Sequence, residues 1–144
     1  MATYGYATVI PQSQTGVQPA EAAYTSGSAC TVLVSVFDTA GLPLAPAAIS
    51  YQVWAKSTGT LIVPWTTLPA AEAVTPIVIT SDQNVLVDNA SQWEVHQIIC
   101  QIVDSAKNIY LASADFTVIA NPNIYAPITI DSSNPIGSGG TVSV

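Results

Sequence analysis

In CTVLVSVFD, residues 30–38, an apolar side chain returns at every second position, and this period constrains the chain more than any other feature. An extended strand points successive side chains to opposite faces, so Cys30, Val32, Val34 and Val36 share one face and Thr31, Leu33, Ser35 and Phe37 the other. The valine-rich face is the core face. The same period runs through AISYQVWAK (48–56), where Ile49, Tyr51, Val53 and Ala55 alternate with Ser50, Gln52, Trp54 and Lys56. It returns in QWEVHQIICQIV (92–103), where Ile98, Cys100 and Ile102 share a face. No long window spaces apolar residues at i, i+3, i+4 and i+7, as an amphipathic helix requires. The pieces PAEAAY (19–24) and PAAEAV (69–74) could each make one helical turn, but isolated helices of that length are marginal, so they are read as turns.

Punctuation between these runs predicts the connections. DTAGLPL closes the first strand, with Gly41 free to take positive φ and Pro43 blocking further pairing. KSTGT reads as a short hairpin loop, and Pro64 marks the returning TLIVPW as an edge strand. DSAKN turns a long strand at 92–105 back into IYLASADFTVIA (109–120). The result is six or seven short strands between residues 28 and 120, the rhythm of a β-sandwich of the immunoglobulin or fibronectin type III sort. The expected organisation is an extended N-terminal arm at 1–27 carrying one or two edge strands, a sandwich at 28–120, and an extended Pro/Gly-rich C-terminal arm at 121–144. The last segment, NPNIYAPITIDSSNPIGSGGTVSV, cannot hold a core of its own and is expected to order only against a neighbour.

Composition narrows the function. Of 144 residues, 49% are hydrophobic and 8% charged, against about 25% charged in an ordinary soluble domain. Such a surface is expected to be covered partly by other protein. The net charge is −7, with Lys56 and Lys107 the only cations. Phosphate contacts need Lys and Arg, which excludes nucleic acid, and an anionic membrane surface is disfavoured for the same reason. No run reaches 18 apolar residues, so no transmembrane helix is expected. The opening MATYGYATVIPQSQ lacks the basic start and apolar stretch of a signal peptide, which points to synthesis in a cytoplasm. There Cys30 and Cys100 would stay buried thiols, although a disulfide between them remains open should the product meet oxidising medium.

Catalytic chemistry is sparse. His96 is the sole histidine, and catalysis or metal binding would need partners it lacks, so it reads as a strand histidine hydrogen-bonded near one end of the sandwich. His96 and Cys100, four apart on a strand, stand about 13 Å from each other, too far for a dyad. Asp38, Asp82, Asp88, Glu94, Asp104, Asp115 and Asp131 fall mostly at strand ends, where a carboxylate caps its own turn. SDQNVLVDN (81–89) lacks the oxygen-ligand density of a calcium loop, and GSGGT (137–141) lacks the lysine and the strand-to-helix context of a phosphate loop. The expectation is a non-enzymatic protein without cofactor or metal. Tyr4, Tyr6 and Tyr125 lie in the arms, where they either anchor a protein contact or fold back on their own sandwich. With Ile124, Ile128 and Ile130 they form the expected interface set. Trp54, Trp65 and Trp93 could alternatively act as a sugar platform.

FDTAGLPL, ISYQVWAKSTGTL, ITSDQNVLVD and WEVHQIICQIVDSAKNIYLASADFTVI together resemble the Ig-like domains of tailed-bacteriophage structural proteins, over about residues 28–120. Cys30, Trp54 and Cys100 likewise resemble the Cys–Trp–Cys layout of immunoglobulin domains, although Trp54 has the opposite parity from the core face. The resemblance implies a virion protein assembled in the host cytoplasm. Its expected role is capsid decoration, held by contacts of its arms with the major capsid protein, other virion proteins or sister copies. A collar, tail or fibre-adaptor protein is the alternative within that class. A carbohydrate-binding Ig-like module is the alternative outside it.

Overall fold

The computed structural model describes residues 3–12 and 23–120, and all regular structure there is β. Eight strands form in chain order: β1 Tyr4–Pro11, β2 Ala23–Thr25, β3 Cys30–Asp38, β4 Ala48–Ala55, β5 Thr60–Thr67, β6 Val74–Ile79, β7 Trp93–Val103 and β8 Ile109–Ile119. They divide into a three-stranded sheet, β1-β3-β6, and a five-stranded sheet, β2-β8-β7-β4-β5. Every pairing is antiparallel except β2 with β8, which is parallel. No helix among the described residues is long and apolar enough to cross a membrane.

The two-residue period becomes the core directly. Cys30, Val32, Val34 and Val36 of β3 meet Ile49, Tyr51 and Val53 of β4 and Ile98, Cys100 and Ile102 of β7 in one buried cluster between the sheets. Ile77 and Ile79 of β6 and Phe116 and Val118 of β8 complete it. Burying a side chain of this size removes it from water at about 1.5–3 kcal/mol each, the main force holding the sheets face to face. Trp54, of opposite parity, stands half-buried on the outside of the five-stranded sheet. β5 is an edge strand, where the missing N–H of Pro64 is tolerated.

The first strands sit on this same core. β1 pairs with β3 from Tyr4 opposite Asp38 to Pro11 opposite Val32, with a bulge at Gly5. A Cβ at Gly5 would stand 2.3 Å from the carbonyl oxygen of Asp38, so only glycine lets the two backbones approach there. Tyr24 of β2 is buried, its ring edge-on to Phe116 at 5.7 Å and its hydroxyl donating to the Gln12 carbonyl. The described residues of segment 1–27 therefore add a strand to each sheet. The expected C-terminal arm, 121–144, lies outside the described residues.

Candidate interaction surfaces

The groups of the chain best suited to chemistry are its histidine and its acids. His96 and Glu94 lie two apart on the inward face of β7, and each is no more than 1% exposed. His96 Nε2 donates to Glu94 Oε1 at 3.0 Å, since an ionised carboxylate can only accept. The same carboxylate receives the N–H of Val87 at 2.9 Å and of Asp88 at 2.6 Å, and so ties down the loop between β6 and β7. Burial alone would raise the Glu94 carboxyl, but the bonds from Asp88, His96 and Val87 outweigh it and hold it below the usual range. His96 Nδ1 has no partner among the described residues, and the ring packs edge-on to Phe116. The pair is sealed beneath the loop, so it acts on the fold and meets no solute. Reading Glu94 as one more strand-end carboxylate missed its burial. The available signal was parity, since it shares the even positions with Ile98, Cys100 and Ile102.

Several of the other acids are occupied with backbone N–H groups, and Asp115 with Lys56. Asp38 Oδ1 accepts from the N–H groups of Ala40 and Leu42, both at 2.9 Å. Asp104 Oδ1 accepts from Ala106 and Asn108 at 2.9 and 2.8 Å. Among the described residues no group of three or more His, Cys, Asp or Glu side chains could hold a metal ion. Cys30 and Cys100 are buried free thiols. Desolvation pushes Cys30 up to about 11, against a smaller downward pull from the Tyr24 hydroxyl, and pushes Cys100 up to about 12. Thiols so far from ionisation are inert packing groups.

The outer faces of the two sheets differ. The outward positions of the three-stranded sheet are Tyr6, Thr8 and Ile10 of β1, Thr31, Leu33, Ser35 and Phe37 of β3, and Val74, Pro76 and Val78 of β6. None carries a charge. Tyr6, Ile10, Val74 and Val78 are exposed, and Tyr6 stacks on Phe37 with ring centroids 4.8 Å apart. Of the residues expected at an interface, Tyr6 thus stands on this face. Tyr4 is instead half-buried against Tyr110, stacked at 3.9 Å on its own fold. Ile124, Tyr125, Ile128 and Ile130 lie outside the described residues.

The outer face of the five-stranded sheet carries amides and indoles among apolar side chains. Trp54 lies opposite Gln97, and Gln52 opposite Ile99, so two carboxamides occupy one diagonal of a square and Trp54 with Ile99 the other. A shallow hollow of about 340 Å³ opens over Gln52, Trp54, Lys56, Gly59, Gln97 and Ile99. Lys56 is paired with Asp115 at 2.9 Å. Gln101 extends the amide row along β7, opposite the exposed Leu111. Trp65 and Trp93 are exposed as well, Trp93 at the far end of the sheet opposite Ile119.

These features define an all-β protein of two sheets. Set against known proteins, the chain matches no family model, and no curated protein is detectably similar to it.

Proposed function

We propose that this chain is a non-enzymatic structural protein of a tailed-bacteriophage virion, an Ig-like sandwich that decorates the capsid and is held there by contacts between subunits. The strand layout supports the Ig-like part. An immunoglobulin sandwich places its first, second and fifth strands in one sheet and its third, sixth and seventh in the other, with an added strand beside the third in variable-type domains. Here β1-β3-β6 answers to the first group and β8-β7-β4 to the second, with β5 as the added strand. The fourth strand of the immunoglobulin layout has no counterpart among the described residues.

The observation that carries the docking role is the uncharged outer face of β1, β3 and β6. An exposed cluster of Tyr6, Ile10, Val74 and Val78 with hydroxyls as its only polar side chains is costly to leave in water and easy to bury against a partner. It also gives a chain of net charge −7 a face on which like charges do not oppose assembly. The expected C-terminal contacts of Ile124, Tyr125, Ile128 and Ile130 with the major capsid protein or sister copies would add to this face.

Quantitative mass spectrometry of purified virions tests the reading. A decoration protein is present in hundreds of copies, and a collar or fibre-adaptor ring in about six to twelve. Absence of the chain from the particles would refute both. Val78→Asp should leave the free protein's stability within about 0.5 kcal/mol of wild type while stripping it from particles; undiminished occupancy would move the contact elsewhere.

A further inference from the structure

On the opposite side of the sandwich, we infer that the square of Trp54, Gln97, Gln52 and Ile99 is a binding site for an uncharged glycan chain. The groups are placed for that chemistry. Side chains directly opposite on paired strands lie about 5 Å apart and diagonal ones about 7–8 Å. Gln52 and Gln97 therefore flank the indole across the diagonal. Each carboxamide offers one acceptor oxygen and two N–H donors, a set that can bridge neighbouring hydroxyls. Neither amide, nor that of Gln101, nor the Trp54 indole N–H, has a hydrogen-bond partner among the described residues. A sugar ring needs both an apolar surface for its C–H face and donors and acceptors for its rim, and this square provides both. Because β4 and β7 are central strands, the groups are held on rigid backbone rather than on a loop.

Other occupants fit less well. The one cation at the hollow, Lys56, is already paired with Asp115, which leaves no free charge for a phosphate or a carboxylate. A peptide adding as a strand needs an open sheet edge, but β4 and β7 are each paired on both sides. A protein docking face-on would have to satisfy three carboxamides that have no partner among the described residues. The other sheet offers an uncharged face without that demand. A shallow hollow gives weak binding per copy, and many copies on one particle would add avidity.

Affinity electrophoresis of the free protein tests this without reference to any virion. Native gels are cast with dextran, mannan or galactomannan as neutral polymers and alginate as an anionic control. At least one neutral polymer should retard the protein and alginate should not. Trp54→Ala should abolish retardation, and the surface double variant Gln52→Ala/Gln97→Ala should weaken it about tenfold or more. Trp93→Ala, at the end of the same sheet, should leave it intact. Thermal melts establish that each variant is folded, and the surface double variant carries the test if Trp54→Ala is not. Failure of all three neutral polymers overturns the inference, as does retardation by alginate. Equal loss in Trp93→Ala overturns the placement. If Trp54→Ala changes the sedimentation of the free protein and no polymer retards it, the face joins copies of this chain and the glycan site is refuted.

Discussion

The two ends of β7 are closed by different physics. At the Ile102 end the chain turns within five residues, and one side chain organises the turn. Asp104 accepts from the N–H groups of Ala106 and Asn108 through Oδ1, and its backbone exchanges bonds with Lys107 and Asn108. At the Glu94 end the closing bonds join segments far apart in sequence. Asn84 donates to the Ser28 carbonyl at 2.8 Å across 56 residues, and Leu86 N–H reaches the Ser26 hydroxyl at 3.1 Å across 60. Glu94 then holds the loop's Val87 and Asp88. The local end can form by itself, whereas the polar end exists only once the sandwich has assembled around it. That end also stores unmet demand, since Asn84 Oδ1 and His96 Nδ1 are both buried without partners among the described residues. Buried polar groups left unpaired are costly, so the Glu94 bonds must offset that cost.

The contrast breaks most sharply at Glu94. Glu94→Ala leaves two loop N–H groups and His96 Nε2 without their acceptor in a buried place, and the expected loss is about 3–5 kcal/mol. Urea denaturation monitored by tryptophan fluorescence measures it. A loss below about 1 kcal/mol would mean that the loop resolvates freely and that the polar end contributes little. At the opposite end Ile102→Ala deletes apolar contact only, with an expected loss of about 3 kcal/mol and no change in pH dependence. The two losses together test whether a polar lock matches a packed isoleucine.

Acid tests the Glu94 end a second time. Because the folded-state pKa of Glu94 is lowered, its contribution is fully present above the ordinary glutamate value of about 4.3 and is lost as pH falls through the lower folded value. Asp104 and Asp82 are lowered too, the first by bonds from Asn108, Tyr110 and Ala106 outweighing desolvation, the second chiefly by the Thr80 hydroxyl. Wild type should therefore lose stability steadily below about pH 4. Glu94→Gln keeps the shape of the side chain and removes its titration, so its curve should be flatter than wild type in that range. Parallel curves would show that Glu94 does not drive the acid loss.

The same contrast explains what could be read from the sequence. Strand faces were legible because period two is local, so Val32, Val34, Val36, Ile98 and Ile102 announce themselves within a few residues. Turns were legible for the same reason, through Asp38 with Gly41 and Asp104 with Asn108. Parity pointed to the burial of Glu94 but not to its role, because its partners Val87 and Asp88 are backbone N–H groups that any sequence supplies. Nor did periodicity say which sheet a strand joins. The role of Tyr4 depends on Tyr110, brought beside it only by the fold. The Trp54 square shows the intermediate case: parity placed Trp54 outside, but only the register of β4 against β7 set Gln97 next to it.

The smallest effect probes how self-sufficient the local end is. Lys107 takes φ of 68°, the left-handed region, because the Asp104 carboxylate pulls Ala106 and Asn108 inward around it. That conformation costs a residue with a Cβ about 1–2 kcal/mol, which glycine avoids at the expense of extra freedom in the unfolded chain. Lys107→Ala and Lys107→Gly remove the same charge and differ only in that Cβ. Glycine should therefore be the more stable by about 0.5–1 kcal/mol, seen as a shift in denaturation midpoint with unchanged slope. The gain should persist undiminished in the Glu94→Ala background, because the two ends share no partner and distant changes add. A gain that disappears there would mean that the turn and the polar lock form as one unit, and that the ends of β7 are coupled after all.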